Sequence, residues 1–156
     1  MSENAFDHAP VRLPPPFVLF GHLAAALLLG WLVRLPLPAP FFVRLFGAAL
    51  VLLGLALAFT AIRAMTAAGT PVDPFEPVSA IVTGGPYRFT RNPIYLGFVA
   101  ALIGLPLALG SYWGLILSPI MIFVMTVLVI RHEEAYLEQK FGPAYLGYKQ
   151  RVRRWL

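Results

Sequence analysis

Four stretches of the chain run apolar, without an acidic residue, for about the length of a membrane-crossing helix: Phe17–Val33, Phe41–Ile62, Ile94–Gly110 and Tyr112–Ile130. At about 1.5 Å rise per residue they extend roughly 26 to 33 Å, against a hydrocarbon layer of about 30 Å, so the shorter ones need their flanks to complete a crossing. The first two are separated by "RLPLPAP", Arg34 to Pro40, whose alternating prolines stop one helix and reset the next. The last two meet at "LGSYWG", a connection short enough to impose an antiparallel hairpin, with Tyr112 and Trp113 at interfacial depth. Pro106 and Pro119 lie inside these two spans and are expected to kink them. The pattern predicts an all-α integral membrane protein, one domain over residues 1–156, with about four transmembrane helices.

Three segments fall outside the spans. Residues 1–16 are polar and proline-rich and are expected to form a loosely ordered lead-in. The loop Ala64–Asn92 is long for a chain whose other connections are short, and "PVSAIV" and "PYRF" give it apolar anchors, so it is expected to be ordered and functional. The tail, residues 131–156, places Leu137, Phe141, Tyr145, Tyr148, Val152 and Trp155 at intervals of three and four, one face of a helix. Gly142 and Pro143 divide that tail in the order that ends one helix and begins another. Its basic opposite face predicts amphipathic helices lying on the membrane surface.

Composition agrees: 59% of the 156 residues are hydrophobic and 12% charged, with mean hydropathy +0.76, outside the range of soluble domains. The net charge of +5 needs no nucleic-acid partner. With a cytoplasmic N-terminus, Arg12, Arg63, Arg88, Arg91, Arg131, Lys140, Lys149, Arg151, Arg153 and Arg154 fall inside, and only Arg34 and Arg44 outside. That asymmetry predicts both termini and the long loop on the cytoplasmic side, with the basic tail against anionic membrane lipid. Glu3, Asp7 and Pro14–Pro16 make a poor leader, so the first span reads as retained. No cysteine is present, which excludes disulfides and thiolate chemistry, and His8, His22 and His132 are too scattered to propose a metal site.

The polar residues are concentrated in "DPFE" and "GGPYRFTRNPIYLG" in the loop and "RHEE" at the end of the last span. The hairpin brings the second and third of these to similar depth at the cytoplasmic boundary. Tyr87, Arg88, Arg91, Asn92 and Tyr95 are therefore expected near Arg131, Glu133 and Glu134, in a pocket with carboxylates and tyrosine faces for a cation and arginines for an anion. On spacing alone the same residues also serve as interface anchors, with Glu133 and Glu134 pairing with Arg131 or Lys140. The glycines lack the spacing of a dinucleotide or P-loop motif.

"GPYRFTRNPIYLG", followed after a helical hairpin by "RHEEAYLEQKFGPAYLGYKQRVRRW", resembles the isoprenylcysteine carboxyl methyltransferase family, which is related to membrane phospholipid methyltransferases. The resemblance covers Val72–Trp155. It implies methyl transfer from S-adenosylmethionine, held by the loop before the third span and the helix after the fourth. Carried over residue by residue, the backbone of Ser79, Ala80, Ile81 and Val82 would line the adenosine. Tyr87, Asn92, Pro93, Tyr95 and Glu133 would contact the cofactor, and Arg131 and Glu134 are the catalytic candidates.

Two positions depart from that pattern. Asn92 stands where the eukaryotic carboxyl methyltransferases carry a histidine, and it cannot titrate. The arginine that binds the acceptor carboxylate in those enzymes aligns with Val129, with Arg131 the nearest substitute. The acceptor is expected to be a lipophilic small molecule or lipid reaching the site laterally from the membrane, in a bacterial inner membrane. A carboxylate acceptor needs no base, whereas a phosphatidylethanolamine amine would first have to lose a proton, to Glu133 or Glu134. A non-catalytic membrane protein retaining the motif, and a nicotinamide-dependent enzyme of the sterol-reductase type, are the alternatives.

Overall fold

The computed structural model describes residues 8–11, 13–35 and 37–156. Half of the expected lead-in, residues 1–7 with the inner charge of Arg12, and Pro36 of the first connection lie outside them. The described residues form six α-helices and no strand: α1 (Pro15–Leu32), α2 (Phe41–Ala67), α3 (Pro93–Ala108), α4 (Trp113–Met125), α5 (Arg131–Phe141) and α6 (Pro143–Arg151). A π-helical turn, Thr126–Ile130, joins α4 to α5, so that Trp113–Phe141 runs on as one helix of 29 residues.

Among the described residues three helices are long and apolar enough to cross a membrane: α1, α2 and the α4–α5 helix. The third expected span is shorter than its apolar run, because α3 has 16 residues, about 24 Å of helix. It ends at Ala108 because Gly110, at φ 86°, turns the chain left-handed. The amides of Gly110 and Ser111 then return to the carbonyls of Leu107 and Pro106, the bonds of a Schellman stop. Gly69, at φ 67°, ends α2 in the same way through Gly69 N to Thr66 O and Thr70 N to Met65 O. No breaker precedes it, so α2 runs five residues beyond the expected Ile62.

α3 lies between α2 and α4, and glycines let it approach both. On α2 only Gly47, Gly54 and Ala61 are buried, a stripe of small residues seven apart, while Leu52, Leu53, Leu55 and Phe59 face outward. A Cβ on Gly54 would lie 2.8 Å from Ala100 Cβ and 2.9 Å from Gly97 O. In lipid, where apolar burial does not separate one helix from another, such close backbone approach is a main source of association. The larger side chains meet elsewhere: Val18 and Ala26 of α1, Val99 and Leu102 of α3, and Met121, Met125, Val129 and Ile130 form the packed core.

The internal prolines are accommodated locally. Pro119 removes the amide that would bond Leu115 O, and the Ser118 hydroxyl donates to that carbonyl at 2.8 Å instead. Pro106 likewise frees Leu102 O, which is covered by Gly114 of α4, where a Cβ would lie 2.0 Å from it. At this end of the bundle the Tyr112 hydroxyl donates to Pro38 O and Trp113 Nε1 to Val33 O, both at 2.8 Å, tying the α3–α4 turn to the α1–α2 connection.

Gly54→Leu is expected to destabilise the protein by about 1–3 kcal/mol through overpacking. Gly21→Leu, at a position with nothing within 4 Å of an added Cβ, is expected to leave stability unchanged. Thermal unfolding of both variants in detergent checks the contrast.

Candidate cofactor site

At the opposite end of the bundle the long loop, the start of α3, α5 and α6 enclose a cavity of about 140 Å³. The loop is ordered by its own polar groups. Thr70, buried beside the Gly69 turn, accepts the Ser79 amide on its hydroxyl at 3.0 Å, and Asp73 Oδ1 accepts the Phe75 amide at 2.9 Å. The Tyr136 hydroxyl of α5 accepts the Val78 amide at 3.3 Å. Farther on, Gly85 takes φ 56° and opens the 3₁₀ turn Gly85–Arg88, which carries Tyr87 inward. The Tyr148 hydroxyl of α6 donates to Tyr87 O at 2.8 Å.

Desolvation pushes the Tyr87 and Tyr148 phenols well above their ordinary range, and that of Tyr145 up to about 12. All three therefore stay neutral hydrogen-bonding groups at physiological pH.

The two adjacent glutamates of α5 diverge, as neighbours about 100° apart on a helix must. Glu133 turns to α3, where Tyr95 donates to its Oε1 at 2.6 Å. Glu134 turns to the tail: Arg154 holds both of its oxygens, Nε to Oε1 at 2.9 Å and Nη2 to Oε2 at 2.6 Å, and Arg91 Nη1 lies 3.1 Å from Oε1. The Glu134 and Arg91 side chains are each only 8% exposed. Nε and Nη1 of Arg91, both buried, lack a hydrogen bond among the described residues.

Of the residues singled out in the sequence, Ala80, Ile81, Val82, Tyr87, Asn92, Pro93, Tyr95, Glu133 and Glu134 line this cavity. Ser79 does not; its exposed side chain borders a shallow depression on the outer side of the loop. Arg131 is exposed and borders a separate depression with Pro10, Val127 and His132. Val129, at the position aligned with the acceptor-binding arginine, is fully buried in the apolar core.

Arg91, expected in the pocket for an anion, lines it too, while several cavity residues went unassigned in the sequence: Thr70, Leu137, Tyr145 and Tyr148. The last three belong to the tail's periodic stripe, which was expected to face the membrane surface. Tyr145 and Tyr148 are instead 3% and 4% exposed, and periodicity does not distinguish a face packed on protein from one packed on lipid. The lead-in also contributes, because Ala9 is buried and borders the cavity. Beside the cavity lies an apolar groove of about 450 Å³ between Pro14–Pro16, Phe75, Ile94 and Phe98, with Tyr95 bordering both spaces.

A mixed donor set of this kind, Glu133 with Tyr95, the incompletely hydrogen-bonded Arg91 guanidinium and the apolar Ala80–Val82 edge, fits a ligand that is both cationic and anionic and carries a flat ring. The chain belongs to the phospholipid methyltransferase family, whose model matches residues 42–144. It is similar to a protein-S-isoprenylcysteine O-methyltransferase of Schizosaccharomyces pombe, 33% identical over 72 residues, 46% of this chain and 30% of that one. The corresponding enzyme B of Arabidopsis thaliana is 32% identical over 109 residues, 69% of this chain and 55% of that one. Methanethiol S-methyltransferase 1 of Bradyrhizobium diazoefficiens is 42% identical over 67 residues, 42% of this chain and 22% of that one. The chain thus spans between 22% and 55% of the length of these three relatives. No solved structure matches it.

Glu134→Leu would leave Arg91 buried without its counter-charge and is expected to cost about 3 kcal/mol or more. Lys149→Ala removes the half-exposed pair with Glu138 and is expected to cost less than about 1 kcal/mol. Thermal unfolding in detergent distinguishes the two.

Proposed function

We propose that this chain is an S-adenosylmethionine-dependent methyltransferase acting on a lipophilic acceptor at the cytoplasmic face of a membrane. In this reading α1, α2, α3 and the α4–α5 helix all cross, α3 with the help of its flanks, and both termini are cytoplasmic. The observation that carries it is the Tyr95–Glu133 pair, at 2.6 Å, on the border between the polar cavity and the apolar groove. When bound, S-adenosylmethionine supplies a methyl group made electrophilic by its sulfonium.

Glu133 faces the positive end of the cofactor, with Tyr95 orienting the carboxylate. Arg91, whose buried Nε lacks a hydrogen bond among the described residues, offers a donor for the aminoacyl carboxylate, and Ala80, Ile81 and Val82 pack on the adenine. Asn92 and Pro93 shape the wall that leads into α3. Positioning is the chief means by which the protein accelerates such a displacement, because the nucleophile must approach in line with the carbon–sulfur bond. The groove brings an acceptor's apolar part past Phe98 and Phe75 to Tyr95, while the loop and tail keep water from the reacting atoms.

The proposed chemistry uses neither Arg131, which borders another depression, nor an arginine at position 129. An amine or thiol acceptor is therefore the second reading beside a prenylcysteine carboxylate, with Glu133 accepting the proton that such a nucleophile must lose.

Glu133→Gln is expected to lower affinity for S-adenosylhomocysteine at least about tenfold with the fold retained, since a charged hydrogen-bonding partner is lost. Calorimetry on the purified protein measures it. Radiolabelled methyl transfer offered total membrane lipid, prenylated thiols and small thiols identifies the acceptor. No binding of S-adenosylhomocysteine below millimolar concentration by the unsubstituted protein would overturn the assignment.

A further inference from the structure

Beyond α6 the chain turns extended and runs back across the mouth of α3, and Arg154 within it grips two walls of the cavity at once. Its backbone carbonyl accepts Asn92 Nδ2 at 2.9 Å and the buried Thr90 hydroxyl at 3.1 Å, both on the segment that leads into α3. Its guanidinium holds both oxygens of Glu134 on α5. We propose that Arg154 is a positioning residue that keeps these walls in register while the cavity's own contact is disturbed by ligand.

Besides the Arg91–Glu134 ion pair at 3.1 Å, two hydrogen-bonded links among the described residues join the start of α3 to the start of α5. The direct one, Tyr95 to Glu133, faces the cavity. The indirect one runs Asn92–Arg154–Glu134 and is set back by one helical turn on α3 and one residue on α5. A cationic ligand that draws on Glu133 competes with Tyr95 for it, so the direct link weakens when the cavity fills. The indirect link does not use Glu133, and so holds the separation. A planar guanidinium suits the task because it meets a carboxylate through two parallel bonds, which fix direction as well as distance.

The segment is pinned on both sides of Arg154. Arg153 O accepts the Arg91 amide at 3.0 Å, and Trp155 Nε1 donates to Thr126 Oγ1 of the π-helical turn at 3.3 Å. Arg153 contributes only its carbonyl, since its side chain is exposed. Asn92 serves here as an amide donor to a backbone oxygen, a task for which the absence of a titrating ring is immaterial.

The proposal rests on the reading of the cavity as a cofactor site, and its test separates the two. Full-length protein in detergent is titrated with S-adenosylhomocysteine. Arg154→Ala is expected to weaken binding about tenfold or more, Arg154→Lys to restore part of the loss, and Arg153→Ala to leave binding unchanged. Asn92→Asp, which sets a carboxylate oxygen against the Arg154 carbonyl, is expected to match Arg154→Ala. The double variant should be little worse than either, because the two residues act through one link.

Hydrogen exchange supplies a readout independent of the ligand. In Arg154→Ala the amides of residues 85–95 should exchange faster, while those of 109–115 keep the rate of the unsubstituted protein. Equal binding by Arg154→Ala and the unsubstituted protein, or equal losses in Arg153→Ala and Arg154→Ala, would overturn the proposal. If the unsubstituted protein binds no S-adenosylhomocysteine, the cofactor reading falls and the exchange rates alone decide the role of Arg154: faster exchange confined to 85–95 supports it, and unchanged exchange sinks it. Should Arg154→Ala not fold, Arg154→Lys carries the same comparisons.

Discussion

The buried carboxylate of Glu134 constrains everything around the cavity. A charge taken out of water is tolerated only with its partners in place, and here the partners come from distant parts of the chain: Arg91 precedes α3 and Arg154 follows α6. Satisfying one glutamate thus requires the loop, the α3–α4 hairpin and the tail to assemble together. The neighbouring Glu133 benefits. With the arginines drawn to Glu134, Glu133 has a phenol as its close partner among the described residues, and its carboxylate is left to face whatever enters the cavity.

The apolar part of the molecule follows a different logic. Helices in hydrocarbon gain little from hiding leucine, and the α2–α3 contact relies on glycine opposite glycine while the large side chains of α2 point away. Backbone groups freed by Pro106 and Pro119 are covered by Gly114 and Ser118 within one turn or on the next helix. Among the described residues the buried ion pair of Glu134 with Arg91 lies at the end where the loop and tail meet.

Much of this was legible in the sequence, for identifiable reasons. Long apolar runs without acidic residues have few alternatives to helices, and Gly110 and Gly142 with Pro143 are strong stop and start signals. The juxtaposition of "TRNPIY" with "RHEE" followed from the short connection at "LGSYWG" alone. Family resemblance separated Glu133 from Glu134, but their different partners, Tyr95 for one and two arginines for the other, were not readable, because adjacent identical residues are told apart only by the phase of the helix that carries them. Arg154 was hidden for another reason: its contribution is partly a backbone carbonyl, which every residue possesses, and partly a return of the chain after α6 that no periodicity announces. The aromatic stripe of the tail was visible, but spacing is silent on what the stripe faces.

The π-helical turn at Thr126–Ile130 has a consequence for how the carboxylates are aimed. One continuous helix serves both as a wall of the apolar core and as the mount for two carboxylates, and a uniform screw would tie the orientation of one to the packing of the other. A wider turn between them accommodates an extra residue without a full break, and so acts as a phase joint. The carboxylates are therefore aimed by a register offset from the one that packs Met121 and Met125 into the core, within a single rod.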